Sequence, residues 1–217
     1  MIKIDKSQIL STAYKQWEEN FEKNNLPHEK YNSSANEFYN DVVMNLLYCQ
    51  KGLCAYTEVQ LCPQEFIEQK NWSQGKYWFN NKGHNGQLEH FDESLKSKQK
   101  DSCGKQDWLW SNLFMVDSDT NNRKGSKEVD DILKPDLEDY NEFELLDYDT
   151  ESHLFGANLS LPAEIRTRIN YMINEVLGIN FPNLVDKRRN TIVKGIEFGT
   201  DCFENEFPTA FEFYRRK

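Results

Sequence analysis

The chain has 217 residues, 38% hydrophobic and 13% aromatic, which suits one domain with a sizeable packed core and excludes global disorder. Its formal charge is −10, so its overall field does not attract nucleic acid; such a partner needs locally concentrated basic residues or a second protein that supplies them. No apolar run reaches the roughly 18 residues of a membrane span, and the start, MIKIDKSQIL, lacks the apolar core of a secretory signal, which points to the cytoplasm.

Residues 6–23 place Ile9, Ala13, Trp17 and Phe21 at steps of four, an apolar helical stripe. A second helix is expected over 34–50, opened by Ser33 or Ser34 and closed near Gly52. LCAYTEVQL, residues 53–61, is rich in strand formers and predicts an extended stretch. Residues 64–85 are aromatic and Asn/Gly-rich, with Trp72, Tyr77, Trp78 and Phe79. GQLEHF, 86–91, predicts a strand, 93–107 an exposed polar loop, and WLWSNLFMV, 108–116, a second strand. A short helix should open within DSDTNN, where Asp and Ser are good caps. The acidic stretch 128–152 contains a further strand candidate, NEFELLDYD. Helices are expected over 162–178, with Pro162 in the first turn and Gly178 past the end, and over 182–199.

The five cysteines, Cys49, Cys54, Cys62, Cys103 and Cys202, are odd in number and form no CxxC pair. Neither a disulfide framework nor a strong structural zinc site follows from them.

Three pieces carry chemistry: LEHF at 88–91, WSNLF at 110–114 and DSDTNNRKG at 117–125. Phosphodiester hydrolysis with one metal needs a base for water, a divalent cation for the phosphate charge, and a rigid frame. Histidine is the natural base near neutral pH, and a carboxylate with an amide oxygen suits Mg²⁺. Glu89 and His90 point to opposite sides of a regular strand, so a shared site needs either a bulge or an approach from both sides of the strand end. Asn112 lies on the returning strand, and Asn121, nine residues on, lies at the helix start.

Together these pieces resemble the HNH endonuclease motif, a ββα-metal fold, here an α+β core within a mainly helical chain. The nine-residue gap and a lysine three places after the last Asn match the form found in HNH domains of CRISPR effectors. The resemblance implies that His90 is the general base, that Glu89 and Asn121 bind the metal, and that Asn112 orients the base or its loop. It makes Lys124 a candidate phosphate contact, with Arg123 beside it for nucleic acid. Asn122 is the neighbouring alternative to Asn121, which alone keeps both spacings. The metal implied is Mg²⁺, with Mn²⁺ as an option. Many HNH proteins carry two CxxC knuckles around a structural zinc. Those positions read Cys54-Ala-Tyr-Thr57 and Asp117-Ser-Asp-Thr120, so no structural zinc is expected and packing by Tyr56 and Trp110 should replace it.

The order of CAYTE, EHF, SNLF, N-RK and LGINFPNLVDKRR is similar to the HNH subunit of Septu-type anti-phage systems, which also occurs as a retron effector. That likeness covers most of 50–190. It implies an ATPase partner of the ABC/SMC type and, in a retron, a reverse transcriptase with its RNA–DNA hybrid. DNA is the favoured substrate. The organisation expected is a helical region over 1–52, the nuclease core over 53–130 and a helical region over 131–217. Two readings stay open: a metal-dependent nuclease, and an inactive adaptor or partner-binding subunit on an HNH-like scaffold. Arg188-Arg189 and the terminal Arg215-Arg216-Lys217 are the tight basic clusters, each open to a phosphate, solvent or partner role.

Overall fold

The computed structural model describes residues 1–24, 38–79, 83–97, 109–198 and 206–216. Ser33, Ser34, His28 and Trp108 lie outside them. The fold is mixed α+β. Its helices are α1 (Thr12–Lys23), α2 (Tyr39–Cys49), α3 (Ser94–Ser97), α4 (Ser118–Lys124), α5 (Glu142–Leu145), α6 (Ala163–Tyr171), α7 (Pro182–Phe198) and α8 (Pro208–Arg215). Among the described residues three antiparallel pairs of strands accompany them: β1 (Trp72–Ser73) with β2 (Lys76–Tyr77), β3 (Gln87–His90) with β4 (Leu113–Val116), and β5 (Leu146–Tyr148) with β6 (Phe155–Ala157). Among the described residues no helix is long and apolar enough to cross a membrane.

One continuous cluster of buried side chains runs from Met1 to Phe211, so the three expected regions share a core. β4 is a fully buried part of it. All four of its residues are buried, which is why its sequence is an unbroken apolar run. One edge of β4 pairs with β3. At Met115 the other edge is closed differently. Gln50, at the end of α2, accepts from the Met115 N–H at 2.9 Å and donates to its carbonyl at 2.8 Å. The Ala55 N–H also donates to that carbonyl at 3.0 Å. A side-chain amide thus does what a third strand would do, and no buried Met115 polar group is stranded.

Several expected elements differ, each for a local reason. α1 starts at Thr12, not near residue 6, because Asn45 Oδ1 takes the N–H groups of Leu10 and Ser11 and holds the preceding segment against α2. Residues 53–61 do not extend. Glu58 has φ 61°, and Cys54 and Val59 close a turn by the Cys54 N–H bond to the Val59 carbonyl. Glu58 is held there by the Met1 amine at 2.9 Å and by the Thr209 N–H at 2.9 Å. The strand expected from 108 begins only at Leu113, after a 3-10 turn over Trp110–Asn112. NEFELLDYD divides into α5, capped by Asn141, and β5. The helix expected over 162–178 relaxes after Tyr171 into a π turn, Met172–Val176.

The Gln50 bridge is testable. Gln50→Leu should strip two hydrogen bonds from buried Met115 and lower the free energy of unfolding by about 2–4 kcal/mol, read from urea denaturation.

Candidate functional site

β3, β4 and α4 form one strand–strand–helix unit. The register pairs Gln87 with Val116, Leu88 with Met115, Glu89 with Phe114 and His90 with Leu113. The ladder contains no bulge, so Gln87 and Glu89 share a face with Phe114, and His90 takes the other face at the strand's last position. α4 is set against the first of these faces. Asp117 caps it, accepting from the Thr120 N–H at 2.8 Å, and the chain leaves it through Gly125 at φ 52°.

Asn121 and Lys124, one turn apart on α4, both reach β3. The Asn121 amide donates to Gln87 Oε1 at 2.8 Å. The Lys124 ammonium lies 2.5 Å from Glu89 Oε1 and donates to the His90 carbonyl at 3.0 Å. Glu89 is 2% exposed, Lys124 1% and His90 8%. A carboxylate and two side-chain amides therefore gather on one face of the hairpin, with a cation on the carboxylate.

Asn112 acts just beyond the strand end. Its backbone carbonyl accepts from the Phe91 N–H at 2.8 Å, and its Oδ1 accepts from the Asp92 N–H at 2.8 Å. It holds the chain immediately after His90.

The remaining named residue, Arg123, faces away from β3. Its guanidinium stacks 3.3 Å over Phe181 and lies against Gly178, where a Cβ would meet Arg123 Nη1 at 2.1 Å. Gly178, at φ 63°, is thus needed for both its backbone and this stack. Arg188, from the basic pair on α7, is interior. It donates to the His153 carbonyl at 2.7 and 3.1 Å and to the Ile179 carbonyl at 3.2 Å, so it faces neither phosphate nor solvent.

Sequence reasoning missed two neighbours, Gln87 and Lys6, and did not place Tyr56, expected as core packing, beside the Glu89 charge. Gln87 completes the amide pair with Asn121. Tyr56 is buried against Phe114, with ring centroids 6.1 Å apart, and burial followed by the Glu89 charge pushes its hydroxyl well above the usual range. Lys6 is buried with its ammonium 3.5 Å from the Phe114 ring centroid and 2.9 Å from Asp136. Burial lowers it to about 8 despite that carboxylate. The signal for Gln87 was its place two residues before Glu89 on the same strand face; Lys6 had none, since its partners are far along the chain.

The two knuckle positions converge. Asp117 Oδ2 accepts from the Cys54 thiol at 3.1 Å, the Thr57 hydroxyl at 2.8 Å and the Thr120 hydroxyl at 2.7 Å. Burial and then the Asp117 charge push the Cys54 thiol up to about 12, so it stays a donor. Burial pushes Asp117 up, but its hydrogen bonds, led by the Thr120 N–H, outweigh that and hold it below the usual carboxylate range. Tyr56 and Trp110 are both buried, Tyr56 against Phe114 and Trp110 beside Tyr14, with ring centroids 6.0 Å apart.

Among the described residues no group of three or more His, Cys, Asp or Glu side chains could hold a metal ion. The oxygen donors gathered at this unit are one carboxylate and two amides. They are hard oxygen ligands of the kind Mg²⁺ takes with several waters, and the Lys124 ammonium already marks a cation position on Glu89. No protein-family profile matches the chain, and no curated protein matches it.

Asp117→Asn should weaken the cluster and the α4 cap together, costing about 2 kcal/mol at neutral pH. Because the folded pKa lies below the usual value, the ionised contribution is complete above about pH 4 and is lost as pH falls below it. Urea titrations at pH 6 and pH 3 should therefore show the gap between wild type and variant shrinking at the lower pH.

Proposed function

We propose that this protein is a metal-dependent endonuclease of the HNH type, hydrolysing phosphodiester bonds, with DNA as the favoured substrate. The observation that carries the reading is the strand–strand–helix unit, in which Glu89, Gln87 and Asn121 share one face, His90 ends the strand, and Asn112 braces the chain after it. Glu89, His90, Asn112 and Asn121 are the residues to which the HNH resemblance gives the metal, base and frame roles; Gln87 is added by its bond to Asn121.

His90 takes the proton from the attacking water; its place at the strand end lets it work from the side opposite Glu89. Asn112 fixes the Phe91–Asp92 segment and with it the orientation of the imidazole. Glu89 and Asn121 would hold the divalent cation, Mg²⁺ or Mn²⁺, with Gln87 positioning the Asn121 amide. Such an ion neutralises charge on the scissile phosphate and on the leaving oxygen. Arg123, stacked on Phe181 beside the start of α7, offers a guanidinium edge to the nucleic-acid backbone.

The Septu-like order of motifs makes it the effector nuclease of an anti-phage complex with an ABC/SMC-type ATPase, joined in a retron by a reverse transcriptase and its RNA–DNA hybrid. A partner that contributes positive surface also fits a chain of net charge −10.

Nicking of supercoiled plasmid by the purified protein, with and without the ATPase, tests this. Mg²⁺- or Mn²⁺-dependent nicking should be abolished by EDTA and should fall by about 10²-fold or more in His90→Ala, the usual scale for loss of a general base. Metal-independent nicking, or a His90→Ala protein as active as wild type, excludes the mechanism. No nicking under any condition favours the adaptor.

A further inference from the structure

A lysine ammonium is stable inside a protein only when a carboxylate and hydrogen-bond acceptors compensate it. Lys124 has both, in Glu89 and the His90 carbonyl, and its side chain is fully shielded while that of Glu89 is 3% exposed. The ammonium rests on the carboxylate that, on the function proposed above, takes the divalent ion. One buried carboxylate does not hold two cations at contact distance, because they repel strongly where water is excluded. Lys124 is also the last residue of α4, and Gly125 follows at φ 52°, so the lysine sits where the helix ends and its side chain can be released without unwinding a full turn.

We propose that Lys124 is the resident cation of this site and competes with the divalent metal for Glu89. In the metal-free protein the ammonium neutralises the buried carboxylate and keeps α4 closed on β3; metal entry displaces it. This inference rests on the metal-dependent reading of the site.

The test uses Mn²⁺ as the probe, followed by loss of the free-ion paramagnetic signal and by the metal-dependent rise in Tm. Three proteins are compared: wild type, Lys124→Met and Glu89→Gln/Lys124→Met. Lys124→Met should melt lower than wild type without metal, bind Mn²⁺ about tenfold more tightly or better, equivalent to about 1.4 kcal/mol, and regain its Tm when loaded. The double variant should melt close to wild type and show no response to Mn²⁺. Should Lys124→Met fail to fold, wild type alone decides the matter. Its Lys124 ammonium proton signal, protected by burial, should be lost at saturating Mg²⁺. Equal Mn²⁺ affinity in wild type and folded Lys124→Met, or an ammonium signal that persists in the Mg²⁺-saturated protein, overturns the competition and leaves the nuclease reading intact. No Mn²⁺ binding by either folded protein overturns the metal site itself.

Discussion

The contact between Lys124 and Glu89 joins the helix of the strand–strand–helix unit to its hairpin. A buried ion pair of this kind is not a source of large net stability, since desolvation of both charges offsets most of their attraction. Its effect is on specificity. Either charge alone would be stranded, so α4 has one register on β3: the register that puts Lys124 on Glu89 and, one turn earlier, Asn121 on Gln87. The same ammonium bonds the His90 carbonyl and so pins the strand end that carries the imidazole.

Around this unit the rest of the chain supplies support. Gln50 and Ala55 close the free edge of β4 at Met115. The Cys54–Thr57–Asp117–Thr120 cluster ties the turn before β3 to the start of α4, so the helix begins at a fixed point relative to β4. Its four residues stand where the HNH resemblance would put zinc knuckles, and hydrogen bonds centred on one low-pKa carboxylate link them. Such a joint depends on pH, where a metal-centred one depends on the availability of the ion. Further out, Glu58 binds the Met1 amine and the first turn of α8, bringing both terminal segments onto the core.

The grouping of the candidate site residues was legible in the sequence because they are close along the chain and obey strand and helix periods. Glu89, His90, Asn112, Asn121 and Lys124 all fall on one hairpin and its following helix, and the nine-residue gap between the two asparagines fits a strand, a cap and a helical turn. The pairing of Lys124 was not legible. As a lysine near a helix end it reads as a solvated cation or a phosphate contact, and only the packing of α4 on β3 makes it interior. Arg188 misled for the same reason: a basic residue on an amphipathic helix gives no hint that two backbone carbonyls await it inside. The stretch over 53–61 looked extended because its composition favours strands; the turn it forms is imposed by tertiary bonds to Asp117, Met1 and Thr209, which no local pattern encodes. The long polar segment between β3 and β4 carries no hairpin turn signature, and the pairing was expected from the order of the LEHF, WSNLF and DSDTNNRKG pieces.

The central claim is that a divalent cation binds between the end of β3 and α4. Loading the protein with Fe²⁺ and starting hydroxyl-radical chemistry with ascorbate and peroxide cuts the backbone next to the bound ion, and mass spectrometry locates the cuts. The account predicts cleavage confined to two segments, near 87–92 and near 119–124, competed away by excess Mg²⁺. Cuts clustered elsewhere, or cuts near these segments that Mg²⁺ does not suppress, would contradict it.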